Sequence, residues 1–106
     1  MIIVRITLEV RPEKQLEFRQ TLISLVEPTD RETGCLGCAI FCGIEDKNFF
    51  SLLEEWQTRE DLDRHIRSGR FSVLLGSKSL LRKPLKYEIF TITDVEGMEA
   101  VRAIRK

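Results

Sequence analysis

Residues 49–75 read FFSLLEEWQTREDLDRHIRSGRFSVLL, and this stretch decides the fold. From Phe49 to Trp56 the side chains alternate, with Phe50, Leu52, Glu54 and Trp56 opposite Phe49, Ser51, Leu53 and Glu55, the period of a strand. Thr58-Arg59-Glu60-Asp61 has capping-box spacing, so a helix is predicted from about Arg59, with Leu62 and Ile66 facing inward one turn apart. Ser68-Gly69 interrupts it, and Phe71, Leu74, Leu75 and Lys78 resume the helical spacing. The stretch holds the only tryptophan, Trp56, and the only histidine, His65.

Working outward, Ile2, Val4, Ile6, Leu8 and Val10 share one face of a first strand whose other face carries Arg5, Thr7 and Glu9. Pro12 suits a first helical turn, and Leu16, Phe18, Leu22, Ile23, Leu25 and Val26 form an apolar stripe over 12–26. Glu27-Pro28 is expected to end that helix, because the residue before a proline is pushed out of the helical region. A polar turn to Gly34 follows. Cys38, Ala39, Ile40, Phe41, Cys42 and Ile44 then make a strand apolar on both faces, joined by Glu45–Asn48 to the strand at Phe49. Pro84 closes the second helical region, and Leu85–Thr93 is the fourth strand, with Tyr87 and Ile89 on one face and Phe90 and Ile92 on the other.

The order strand, helix, strand, strand, helix, strand is an α+β, ferredoxin-like βαββαβ arrangement with a four-stranded antiparallel sheet. Two main helices cover one face. The other face keeps apolar side chains, which predicts a homodimer with the sheets face to face. Residues 1–93 form the domain, and 94–106 a tail with a short helix at Met98–Ile104 that needs something to dock on.

Seventeen basic residues balance seventeen acidic ones, which argues against a nucleic-acid partner, whose phosphates call for a basic excess. No apolar run reaches the roughly 20 residues of a membrane span. The alternating, charged N-terminus reads as a strand and not a signal peptide. With three cysteines, a reducing cytoplasm is the expected compartment. Cys35-x-x-Cys38 invites a metal or redox reading. A strand rises about 3.3 Å per residue, which sets Cys38 and Cys42 too far apart for one ion. No fourth cysteine completes a tetrahedral site, so Cys38 and Cys42 read as small buried hydrophobes and no metal is expected. His65 lies on the shoulder of the inward helix face, as a structural histidine or as a pocket-lining base or donor. Trp56 packs by default, its indole N–H finding one partner. Arg5 projects from the second face of strand one, toward a ligand, a partner subunit or water. Nucleophile elbows, phosphate-cradling loops and paired-histidine motifs are absent.

ETGCLGCAIF at 32–41, FFSLLEEWQTREDLDRHIRSGRF at 49–71 and KYEIFTI at 86–92 resemble the antibiotic biosynthesis monooxygenase domain. The resemblance runs from Ile2 through Thr93, its most specific part being the glycine-cysteine turn and the run from Glu54 to His65. It implies a dimeric α/β barrel that oxidises quinol- or anthrone-like aromatics with molecular oxygen, without flavin, metal or other cofactor. It makes His65 the base or the donor to the substrate oxygen and Trp56 a wall or donor, with Phe41, Phe71 and Leu75 as apolar walls; Arg5, from its strand position, is a further candidate binding residue. Haem-degrading relatives carry an axial histidine where this chain has Leu75, and a strand-one asparagine that Ile2–Val10 lacks. Cys38 stands where a tyrosine is often found. The competing class is a dimeric small-molecule-binding or stress-related barrel without turnover.

Overall fold

Alternation in the first strand places Ile2, Val4, Ile6 and Leu8 on one face, and all four are buried. A computed structural model describes all 106 residues, Met1–Lys106. Its elements are β1 (Ile2–Glu9), α1 (Gln15–Asp30), β2 (Cys35–Cys42), β3 (Phe49–Trp56), α2 (Arg59–Ile66), α3 (Gly69–Gly76), β4 (Lys86–Thr91) and α4 (Met98–Ile104). Single 3-10 turns at Pro12–Lys14 and Ser77–Leu80 flank α1 and α3. The strands form one sheet in the order β2-β3-β1-β4, with every neighbouring pair antiparallel. This is the ferredoxin-like α+β arrangement expected from the sequence.

The inner face of the sheet carries the core. Val4 and Ile6 on β1 meet Phe18 and Leu22 of α1, Phe50, Leu52 and Trp56 of β3, Leu62 of α2, and Phe71 and Leu74 of α3 in one cluster. β3 has the bounds expected for it, and α2 starts as its capping box requires. Thr58 Oγ1 accepts the Asp61 N–H at 3.2 Å, and its hydroxyl donates to Asp61 Oδ2 at 2.8 Å.

Four details depart from the sequence expectation. α1 runs through Pro28 to Asp30. Pro28 sits in the last turn, and Thr29 is buried on the same line as Phe18, Leu22 and Leu25, so inward packing continues past the proline. That line is narrower than the expected stripe, for Leu16 and Ile23 are exposed. β2 begins at Cys35, and a bulge between Cys35 and Gly37 sets Cys35 opposite Trp56 and Cys38 opposite Glu54. Both thiols thus belong to the inner face, whereas Cys42 and Ile44 are exposed where this edge strand leaves the core.

The turn into β2 is tied directly to α2. Gly34 adopts φ +84°, and a Cβ there would lie 2.1 Å from the Asp61 carboxyl group. The Gln57 N–H donates to the Gly34 carbonyl at 2.8 Å. Only glycine combines this backbone with so close an approach, and the contact holds the segment carrying Glu32 against the helix carrying His65. The tail helix α4 forms at the expected residues and buries none of them. No helix is long and apolar enough to cross a membrane.

Candidate functional site

Glu54 is the anomaly of the inner face. Period two puts it in the buried row with Phe50, Leu52 and Trp56, and it is 2% exposed. An isolated carboxylate there is costly, so it needs partners. The Trp56 Nε1–H donates to Glu54 Oε1 at 2.9 Å, and His65 Nε2 stands 3.9 Å from Glu54 Oε2, beyond direct hydrogen-bond reach. Burial raises the Glu54 pKa above its ordinary value of 4.5, the tryptophan N–H and the imidazole oppose the rise, and Glu32 adds to it.

His65 is 4% exposed, three residues along α2 from buried Leu62. Its Nδ1 lies 2.7 Å from Glu32 Oε2, and that same oxygen is ion-paired with Arg70 Nη1 at 3.0 Å. An ionised carboxylate only accepts, so Nδ1 carries the proton and Nε2 of the neutral ring keeps its lone pair. The imidazole is therefore oriented by one carboxylate and presents its free nitrogen toward a second.

Aromatic rings enclose this group. The rings of Trp56 and His65 are 4.9 Å apart, those of His65 and Phe71 5.7 Å at 88°, and those of Phe71 and Tyr87 5.9 Å at 76°. The Tyr87 hydroxyl is buried without a hydrogen bond to the protein, and burial and the charge of Glu54 raise its pKa. Cys38, opposite Glu54 on β2, is pushed up to about 12, first by burial and then by Glu54. It is held as an inert thiol. Beside His65 is a void of about 10 Å³, lined by Leu25, Thr29, Leu52, Glu54, Arg70, Phe71 and Leu74. That is close to the size for one water molecule and far below an aromatic ring.

Of the residues singled out in the sequence, the structure brings His65, Trp56 and Phe71 together. It does not bring Phe41, Leu75 or Arg5 to them. Phe41 pairs with Ser51 on the outer face and is 54% exposed, because odd positions of β2 after the bulge point away from the helices. Leu75 follows buried Leu74 on α3 and is 50% exposed. Arg5 lies on the outer face of β1, its guanidinium paired with Glu88 at 3.0 Å and 5.3 Å from the centre of the Phe90 ring. Glu54, Glu32, Arg70 and Tyr87 were not foreseen. Glu54 and Tyr87 carried a signal, as polar members of inward-facing rows, whereas Glu32 and Arg70 had none. No group of three or more His, Cys, Asp and Glu side chains converges as metal ligands would. A separate groove of about 290 Å³ lies between α1 and β2, lined by Arg19, Leu22, Ile23, Ile40, Cys42 and Phe50, and it holds no histidine or carboxylate.

The family model for antibiotic biosynthesis monooxygenase matches residues 1–74, and the chain belongs to that family. It is 29% identical over 98 residues to the uncharacterized protein sll1783 of Synechocystis, covering 92% of this chain and 67% of the relative. It is 30% identical over 86 residues to YcnE of Bacillus subtilis, named a putative monooxygenase, covering 80% and 90% of the two chains. Among solved structures, a conserved protein from Methanosarcina mazei Go1 superposes with a TM-score of 0.79 at 33% identity, over 84% of this chain and 89% of that one.

The Glu54 environment fixes the sign of a pH effect. Its folded-state pKa lies above 4.5, so the folded state holds the proton more tightly. This contribution to stability is complete below the unfolded value and is lost as pH rises through the raised one. Glu54→Gln keeps an acceptor for Trp56 and removes the titration. Its melting temperature relative to wild type is expected to improve from about pH 5 to about pH 8. A difference that stays constant, or moves the other way, contradicts the assignment.

Proposed function

We propose that the protein is a cofactor-independent monooxygenase acting with molecular oxygen on a small, electron-rich, quinol- or anthrone-like compound. The observation that carries this reading is the Glu32–His65 hydrogen bond, which leaves His65 Nε2 as a proton acceptor inside an apolar, aromatic enclosure. A phenolic or enolic O–H placed at Nε2 gives up its proton, and Glu32 stabilises the imidazolium that forms. The substrate anion passes one electron to dioxygen, and the two radicals combine to form a carbon–oxygen bond. The His65 imidazolium returns its proton to the peroxide anion, and loss of water from the hydroperoxide leaves a carbonyl, so one oxygen atom stays in the product and the other leaves as water. Trp56 anchors Glu54 and forms one wall, and Phe71 forms another. A ring reaches Nε2 only when Phe71 moves, because the void beside His65 is small.

Oxygen uptake with a panel of hydroquinones and anthrones tests the proposal. Uptake by wild type is expected to fall at least about tenfold in His65→Ala, on the scale of a general base. Equal rates remove His65 from the chemistry, and no uptake with any compound removes the monooxygenase.

A second reading, ligand binding without turnover, is favoured by the α1–β2 groove. It is mostly apolar, and Arg19 at its wall makes no ion pair, which suits an amphipathic anion. Binding abolished in Arg19→Ala and unchanged in His65→Ala supports it, and the reverse pattern refutes it.

We further propose that a second copy covers the outer sheet face, where Phe41, Phe49 and Phe90 are partly exposed around Leu53 and Ile3. Sedimentation at micromolar concentration is expected to give twice the chain mass, and a monomer there overturns it.

A further inference from the structure

We infer that Phe71 occupies the place of the ligand ring, and that the Tyr87 hydroxyl is the hydrogen-bond partner of the ligand's oxygen once Phe71 swings away with α3. This deepens the reading above and rests on the same site. The first observation is the Tyr87 Oη atom, buried with no partner in the protein. A buried hydroxyl left unsatisfied is destabilising and uncommon in native structures, so it points to a group that arrives from outside. The second is the position of Phe71. Its ring stands between His65 at 5.7 Å and Tyr87 at 5.9 Å, nearly perpendicular to both, so it fills the gap that a planar aromatic ligand would bridge. The same ring is one wall of the small void beside His65 and Glu54.

The third observation is how Phe71 is held. α3 has only eight residues, of which Phe71 and Leu74 alone are buried. It is joined to α2 through Arg67-Ser68, and Gly69 is its first residue. The Ser68 hydroxyl donates to the His65 carbonyl at 2.6 Å, and Ser68 Oγ accepts the Phe71 N–H at 3.3 Å. A Cβ on Gly69 would meet nothing within 4 Å, so the hinge has open space around it. A short helix with two buried anchors and an uncrowded glycine hinge moves more readily than the sheet beneath it. The ligand class follows: a flat aromatic ring, in place of Phe71, with at least one hydroxyl or carbonyl oxygen. One oxygen meets Tyr87 Oη, and for a bifunctional ligand a second reaches toward His65 Nε2.

The test is binding of 2-naphthol and of naphthalene, followed by NMR shift titration in wild type, Tyr87→Phe and Phe71→Leu. Wild type is expected to prefer 2-naphthol over naphthalene by about tenfold, because only the former pairs with the orphan hydroxyl. Tyr87→Phe is expected to abolish the preference by weakening 2-naphthol alone, with no fall in melting temperature. A role of Tyr87 in packing only would leave the ratio of the two affinities unchanged. Phe71→Leu is expected to bind both compounds at least about fivefold more tightly, since no ring has to be displaced. Full retention of the 2-naphthol preference in Tyr87→Phe overturns the inference, as does failure of both compounds to bind wild type. Binding with the expected pattern but no oxygen uptake leaves this inference standing and sinks the monooxygenase. Uptake with an unaltered preference in Tyr87→Phe does the opposite.

Discussion

The hydrogen bond between Glu32 and His65 is the constraint on which the site depends. It spans the turn before β2 and the inward side of α2, two segments 33 residues apart in the chain. Everything around it serves to hold that distance. Gly34 allows the turn to press on Asp61, the Thr58 cap fixes where α2 begins, and Arg70 at the start of α3 shares the Glu32 oxygen. A carboxylate that only accepts determines which nitrogen of His65 keeps its lone pair. Local backbone geometry therefore becomes a statement about chemistry.

Glu54 gives the second half of that statement. A carboxyl group buried in a sheet face raises its own pKa, and the fold tolerates it through one indole N–H and a nearby imidazole. Burial of an ionisable group at a cost to stability is a mark of function when it lies beside a candidate base. Here the two carboxylates flank one imidazole in unlike environments. Glu32 is one-fifth exposed at its side chain and paired with Arg70, whereas Glu54 is enclosed. The rings of Trp56, Phe71 and Tyr87 supply the dry surroundings in which such differences count most.

The period-two rows of β1 and β3 and the capping box at Thr58 were enough to read the fold, because each signal is local and repeats across several residues. The same rows contained Glu54 and Tyr87, and a polar residue in an inward row is a legible anomaly. Glu32 and Arg70 were not legible, because their roles come from tertiary contacts that no spacing in the chain records. Two local rules were overridden. Pro28 did not stop α1, since Thr29 continued the buried line. One extra residue at the bulge brought Cys35 into the inner row with Cys38, which strict alternation forbids for residues three apart. Phe41 and Leu75 followed family analogy and Arg5 its place on the second face of β1, and the structure sets all three outside the enclosure.

Whether Glu32 sets the His65 tautomer is tested most directly by the protonation pattern of the ring, read by ¹⁵N NMR of the imidazole in wild type and in Glu32→Gln. The neutral wild-type ring is expected to carry its proton on Nδ1, with Nε2 unprotonated, and the substitution is expected to shift the population toward the other tautomer. A neutral wild-type ring protonated on Nε2 would rule out His65 as the base, because the nitrogen assigned to take the substrate proton would already be occupied.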